Sequence, residues 1–330
     1  MIDESGASLD PLITQHTLAT PYPVGPVHIY TTQVDGRLIL FDTGPPIMSA
    51  IAYHKANLDL DRLDYVFITH HHPDHIGLAR FFAENTGAQV VVSKYDSFRY
   101  ERSAQTIEAM MNIFGQMGFN AEETAHARQT IEFFEKATPF ATDYLILEEQ
   151  EALLARLGIH WMRCPGHSQS DIVYMMGDTA ITGDVLLREI FQAPLLDVDM
   201  ETMNRRFCNY TAYCQTIGKL MSIRAMRFLP SHREYVDSVE ERITWYVTKL
   251  LDRAAMAAPI LMGGANVHDT VKKLFEGQAL KPFTLFIKIS EIAFFQDFMN
   301  NPERLAQALR DAGLMEPQEA GFARLGLDGY

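Results

Sequence analysis

One heptapeptide, Thr69-His70-His71-His72-Pro73-Asp74-His75, limits what this chain can fold into more than any other stretch. It follows Tyr65-Val66-Phe67-Ile68, an apolar run typical of a buried strand, and precedes a helical pattern over residues 76–84. A turn between strand and helix can aim several side chains at one volume, and neutral imidazole and carboxylate are donors that divalent zinc, iron or manganese accept. His70 and His72, two positions apart, project from the same side of an extended segment. Asp74 and His75 come after the chain has turned, so they face a second position about 3.5–4 Å from the first, as in two-metal sites. His71 then points away and is expected to pack rather than ligate.

Two cations need more donors than one turn supplies, and later strand ends offer them. Cys164-Pro165-Gly166-His167-Ser168 follows a strand pattern over 159–163, and its Pro and Gly force a turn that presents His167. Ile181-Thr182-Gly183-Asp184 ends another, where a carboxylate can bridge two ions, and Phe228-Leu229-Pro230-Ser231-His232 repeats the pattern. Singly, each is an ordinary turn; in this order after the histidine cluster, they complete two sites.

The rest of the chain reads as an α/β layered core. A hairpin is expected over 27–33 and 37–41 around Asp35-Gly36, closing in the breaker cluster Asp42-Thr43-Gly44-Pro45. A helix over 48–56 and a strand over 89–93 follow. From 95 to about 138 the pattern turns helical, with Ile107, Met110, Met111, Phe114 and Met117 on one face and Gly118 as a stop, then a second helix over 121–136. Such a stripe is more often core than ligand pocket, although an apolar acyl pocket is the alternative reading. Strand patterns resume at 144–147, 159–163, 172–176 and 179–182 and suggest a second sheet. Helix is expected over 200–220, a short strand at 226–229, and mostly helix from 239 onward.

Composition narrows the function classes. Net charge is −14 with pI ≈ 5.3, which argues against extended contact with nucleic acid or an anionic membrane. No apolar run reaches the ~20 residues that cross a bilayer. Residues 1–12 lack a basic, apolar leader, so the cytoplasm is the expected compartment. Cys164, Cys208 and Cys214 have no Cys-x-x-Cys spacing and are read as free thiols.

Together, Thr-His-His-His-Pro-Asp-His, Pro-Gly-His-Ser, Thr-Gly-Asp and Pro-Ser-His resemble the successive metal-binding motifs of the metallo-β-lactamase-fold hydrolases, over roughly residues 21–234. The resemblance implies an α/β fold, a four-layer αβ/βα sandwich, here with a helical insertion at about 95–138 and a helical C-terminal extension. It divides the chain into a catalytic domain, 1–238, and a mainly helical region, 239–330. It implies that His70, His72 and His167 hold one metal, Asp74, His75 and His232 a second, and that Asp184 bridges them. Asp184 stands where classical zinc β-lactamases carry a cysteine ligand, and the pattern is similar to glyoxalase II and related β-lactamase-like hydrolases. The glutathione-binding basic residues of the glyoxalases have no firm match among Arg242, Lys249 and Arg253.

The activity so implied is hydrolysis of a thioester or ester of a small organic acid by a metal-bridging hydroxide, with Asp74 also accepting the nucleophile's proton. Two divalent ions are expected as cofactors, zinc first, with iron and manganese as alternatives. Tyr210 and Tyr213 are candidate oxyanion donors, with packing the commoner role. A lactonase, or a module that keeps the metals but only binds ligand, are the alternatives; the partner is a small molecule, not nucleic acid or membrane. Trp245, Leu250, Leu251, Phe294, Phe295 and Phe298 either dock the C-terminal helices onto the sandwich or form a homodimer contact.

Overall fold

The computed structural model describes residues 12–327, so all but the last residue of the 1–12 stretch lies outside the described residues. One sheet of six strands runs in chain order: β1 (Thr14–Leu18), β2 (Val27–Val34), β3 (Arg37–Phe41), β4 (Leu63–Phe67), β5 (Gln89–Val92) and β6 (Leu145–Ile146). Its first two pairings are antiparallel and the rest parallel. A second sheet has the order β10–β9–β8–β7, from β7 (His160–Arg163), β8 (Ile172–Met176), β9 (Thr179–Gly183) and β10 (Arg227–Pro230), with only β9 and β10 parallel.

The helices are α1 (Met48–Asn57), α2 (Pro73–Ile76), α3 (Ala79–Asn85), α4 (Lys94–Glu101), α5 (Ser103–Gln116), α6 (Ala121–Ala137), α7 (Glu151–Leu157), α8 (Asn209–Ser222), α9 (Val239–Met262), α10 (Val267–Leu274), α11 (Pro282–Asn300), α12 (Pro302–Ala312) and α13 (Glu319–Arg324).

Alternation along the strands builds the layers. Ile39, Phe41, Tyr65, Phe67 and Val91 face inward and meet Ile172, Tyr174, Ile181 and Leu229 of the second sheet. The intervening Leu40, Val66, Val90 and Val92 face outward onto Ala50 of α1 and Phe82 of α3. The outer face of the second sheet, through Val173, Ala180 and Phe228, is covered by α8, α9 and α11. Strands buried on both faces read as continuous apolar runs, which is why β4 and β5 were legible.

The two sheets are stitched together at the edge where the motif loops emerge. Tyr174 donates its hydroxyl hydrogen to the Ile68 carbonyl (2.8 Å), Tyr30 donates to the Pro230 carbonyl (2.6 Å), and the Ile172 amide donates to the Thr69 carbonyl (2.9 Å). The phenol hydroxyls thereby find acceptors at the bottom of an otherwise apolar interior.

Several local expectations shift. β1 and α7 are additional elements. The helix expected over 200–220 begins only at Asn209, because the chain before it is held open by the Asp199 carboxylate, which accepts from the amides of Glu201 and Thr202. The helix expected over 76–84 is broken at Gly77, where any Cβ would lie 2.2 Å from the Pro73 carbonyl oxygen. Helices α4 to α6 occupy the connection between β5 and β6, and Met110 and Phe114 of α5 belong to the same apolar cluster as α9 and α11. Leu250, Leu251, Phe294, Phe295 and Phe298 are buried within the chain itself, while Trp245 is half-buried and stacks under Arg242.

Candidate metal centre

The heptapeptide lies at the carboxyl end of β4, with Val66, Phe67 and Ile68 wholly buried before it. Pro73 is the first residue of α2; it keeps His72 extended (φ −68°, ψ 148°) and fixes where the chain turns. The loop after β3 clamps that turn. Thr43 donates its amide (2.7 Å) and its hydroxyl (2.7 Å) to the His75 carbonyl, and its hydroxyl oxygen accepts from the Leu78 amide (2.9 Å).

The other loops are fixed with similar thoroughness. After β7, the amide and hydroxyl of Ser168 donate to the two carboxylate oxygens of Asp171 (2.7 and 2.6 Å), and Asn209 and Thr216 of α8 donate to the carbonyls of Gly166 and Pro165. Burial pushes the Asp171 carboxyl up to about 6. Gly183, at φ +54°, turns the chain into Asp184, and the Ser231 amide donates to the Gly183 carbonyl, joining the ends of β9 and β10.

The fold brings the seven expected side chains into one cluster. The Nε2 atoms of His70 and His167 each lie 2.9 Å from His72 Nδ1. Asp74 Oδ1 is 3.7 Å and Asp184 Oδ1 3.5 Å from His75 Nε2, while Asp74 Oδ2 and Asp184 Oδ1 are 3.5 and 3.6 Å from His232 Nε2. The other oxygen of Asp184, Oδ2, lies 3.6 Å from His167 Nε2, so its carboxylate reaches both halves. Three ligand-like groups emerge: His70, His72 and His167; His70, His75 and Asp184; Asp74, His75 and His232.

What each imidazole does with its other nitrogen decides the chemistry. His167 Nδ1 donates to the Ala193 carbonyl (2.8 Å), His232 Nδ1 to the Pro26 carbonyl (2.7 Å), and His75 Nδ1 to Asp42 Oδ2 (2.8 Å). The Thr69 hydroxyl donates to Asp42 Oδ2 (2.8 Å) and so accepts from His70 Nδ1 (3.0 Å). With these four Nδ1 atoms committed as donors, the Nε2 atoms turn lone pairs inward, as a metal site requires. A single proton on His72 Nδ1 serves only one of its two neighbours well, whereas a cation among the three serves all. Four-coordinate zinc, with bonds of about 2.1 Å, spaces its nitrogens about 3.4 Å apart.

The second half carries the same message electrostatically. His75 Nε2, His232 Nε2 and Asp184 Oδ1 are buried without a hydrogen-bond partner, a condition that costs stability unless something fills the space between them. Burial pushes the His70 and His72 imidazoles well below their ordinary value, helped by neighbouring imidazoles, so both stay neutral. Against the same burial, the carboxylates of Asp184, Asp74 and Asp42 raise His75 to about 10, and Asp184 and Asp74 raise His232. Asp74 is lowered despite its burial, chiefly by His75. Protons thus occupy the positive role in a cluster whose negative charge calls for a cation, and the donor set fits divalent metal.

Asp42 was not singled out from sequence. It is buried, adopts φ 60°, and accepts from the Thr69 amide (2.8 Å) as well as from Thr69 and His75 side chains. Its signal was an acidic residue beginning a breaker cluster at a strand end, the same signal that marked Asp184. His71 packs away from the cluster, with Nδ1 3.3 Å from Ser170 Oγ and 3.5 Å from Asp96. Tyr210 donates to the Asn301 carbonyl (2.7 Å) and accepts from the Leu305 amide (3.0 Å), which commits it to anchoring α12. Tyr213 packs on Tyr246. Neither touches the cluster, so packing is their role.

The sequence model of the family described as the metallo-beta-lactamase superfamily matches residues 22–255, most of the chain and all seven clustered side chains. The protein belongs to the metallo-beta-lactamase superfamily. Within that superfamily it is 24% identical over 311 residues to "Probable metallo-hydrolase YqjP" of Bacillus subtilis, covering 87% of this chain and 91% of that one. The fold is shared with metallo-beta-lactamase family protein TTHA1429 from Thermus thermophilus, at TM-score 0.70 and 21% identity over 88% of this chain and 94% of that one. A beta-lactamase domain protein from Burkholderia ambifaria aligns at TM-score 0.68 and 16% identity, covering 91% and 90%. Among the described residues, no helix of this superfamily member is long and apolar enough to cross a membrane.

Proposed function

We propose that the protein is a binuclear metal-dependent hydrolase that cleaves a thioester or ester of an organic acid. The observation that carries this reading is the pair of three-residue groups, one wholly buried and one with His72 and His167 half-buried, linked by the Asp184 carboxylate, whose two oxygens face opposite halves. His70, His72 and His167 are the residues that would hold one cation and Asp74, His75 and His232 the other, with Asp184 between. When bound, such a pair lowers the pKa of water toward neutrality and polarises a carbonyl oxygen.

The chain's own residues do the rest. The Nδ1 donations fix five-membered rings that would otherwise rotate, so the donors are arranged before anything binds. Asp74, ionised at neutral pH, has a carboxylate oxygen available to accept the proton of an attacking water. A cavity of about 1080 Å³ opens directly onto His72, Asp74, His167 and Asp184, giving a substrate access and room. The likeness to a probable metallo-hydrolase supports hydrolysis as the reaction class. Zinc is the metal we assign first, with iron and manganese as alternatives that the same donors accept.

The test is elemental analysis of metal-reconstituted protein, followed by a hydrolysis panel of acyl-CoA, acylglutathione, lactone and p-nitrophenyl ester substrates. Two equivalents of transition metal per chain and chelator-sensitive cleavage of an ester or thioester are expected. Protein that holds two equivalents and hydrolyses none of the panel is a ligand-binding module instead; turnover of the lactone alone makes it a lactonase.

A further inference from the structure

The cavity at the metal centre continues well past it. In one space of about 1080 Å³ it runs from His72, Asp74, His167 and Asp184 to the helices inserted after β5 and to α11. Its far wall is mostly hydrocarbon and aromatic, Met110 and Phe114 of α5, Ala127 and Ile131 of α6, and Leu285 and Phe286 of α11, interrupted by Glu123, His126 and Thr130 of α6. The two sides are tied across by His268 of α10, whose amide donates to the Met117 carbonyl (3.2 Å) and whose Nε2 lies 3.1 Å from Glu123 of α6.

Each cation that reaches this space from the helices is already paired with a carboxylate of the protein. Arg99 is paired with Asp197, Lys272 with Glu123, and Arg253 and Lys288 both with Glu291. They leave no unpaired cation at the far wall for an anionic group to meet, although Arg253 and Lys288 share the one carboxylate of Glu291. Pockets that enclose drug-sized ligands measure about 300–1,000 Å³, so an acetyl-sized group at the metal centre would leave most of this one filled with water against apolar walls, where water finds few partners.

We propose that the chamber is an acyl-chain site, and that the acid half of the substrate carries an uncharged hydrocarbon body of medium length that lies between α5, α6 and α11 while its carbonyl sits at the metal centre. This rests on the hydrolase reading above and specifies its substrate class. Each methylene moved from water into such walls is worth about a factor of four in apparent specificity. Preference therefore rises with chain length until the chamber is full.

The readout is the ratio of kcat/KM for octanoyl over acetyl p-nitrophenyl ester, measured within each metal-reconstituted protein. In the unmodified protein the ratio is expected to be about 100 or more. Ala127→Trp and Ile131→Trp, on the half-buried face of α6, fill the chamber and are expected to lower that ratio at least tenfold; Leu285→Ala enlarges it and moves the best substrate to a longer chain. If one tryptophan variant fails to fold, the other and Leu285→Ala still report. A second measurement needs no turnover: calorimetric binding of octanoate, expected at least tenfold tighter than acetate and lost in the tryptophan variants. A ratio near one, unmoved by the variants, overturns the chamber while leaving the hydrolase intact. If nothing is hydrolysed by protein holding two metals, the hydrolase reading fails and calorimetry alone decides: octanoate binding abolished by Ala127→Trp upholds the chamber, and absence of binding overturns it.

Discussion

Asp42→Asn is the substitution that most directly probes how the metal centre is organised. The side chain is nearly isosteric, and Asn tolerates φ 60° as readily as Asp, so the backbone at this buried position has no reason to move. Asn Oδ1 still accepts from the Thr69 amide, but the amide nitrogen now faces both the Thr69 hydroxyl and His75 Nδ1, each of which donated to Oδ2 at 2.8 Å. Two donors cannot face one another. His75 then relieves the conflict by moving its hydrogen to Nε2, the atom that points at Asp74 and Asp184. Loss of an outer carboxylate partner of a metal-binding histidine costs about 10–100-fold in metal affinity, or about 1.4–2.7 kcal/mol. On the proposed two-cation reading, the cation that Asp74, His75 and His232 would hold should bear this loss directly, and the one that His70, His72 and His167 would hold only through the Thr69 hydroxyl. Competition titration against a fluorescent chelator, following the two equivalents separately, is the assay. Asp64→Asn, which weakens only the half-buried pair with Arg37 far from the cluster, serves as the control. Equal weakening of both equivalents, or unchanged affinity for the second, would refute the tautomer argument.

Three further outcomes follow from the same structure. Burial pushes His54 down to about 4, so the unfolded chain binds its proton from pH 6.5 downward while the fold refuses it; stability is therefore lost as pH falls from 6.5 to 4, by about 3 kcal/mol, and urea titrations should show that slope shrinking in His54→Gln. Gly183→Ala places a Cβ 2.9 Å from Thr69 Cβ and Oγ1 at φ +54°, and a loss of about 1–3 kcal/mol is expected in chemical denaturation; a neutral result would mean that Thr69 moves freely. Phe298→Ala empties a fully buried site between Tyr210 and Phe322 and should cost about 3–5 kcal/mol in one cooperative transition; two separate transitions would show that the C-terminal helices unfold independently of the sandwich.

Legibility differed sharply between parts of the chain. The layered α/β core could be read because residues 65–68 and 90–92, at the buried centres of β4 and β5, are unbroken apolar runs. The helix expected across 200–208 failed for a local reason, the Asp199 carboxylate capturing the amides that would have continued it. Likewise α7 escaped notice because seven residues, Glu151–Leu157, give too few turns for a period to show. The Met and Phe stripe of α5 was ambiguous between core and pocket, and in the fold Met110 and Phe114 are both, packed in the main cluster and facing the cavity.

By itself, the sequence determined which chemistry was available: histidines and carboxylates concentrated at strand ends, five of them within one turn, in an order that resembles one superfamily. Donor type and spacing along a turn are local properties, so they survive without the fold. Only the tertiary structure decided that His167, Asp184 and His232 arrive at the same volume as the His70 turn, that Asp42 holds His70 and His75 in their tautomers, and that α5, α6 and α11 wall one chamber. Those are contacts between residues far apart in the chain. Burial, the direction of a hydrogen bond and the electrostatics of a closed cluster come into being only when the sheets pack.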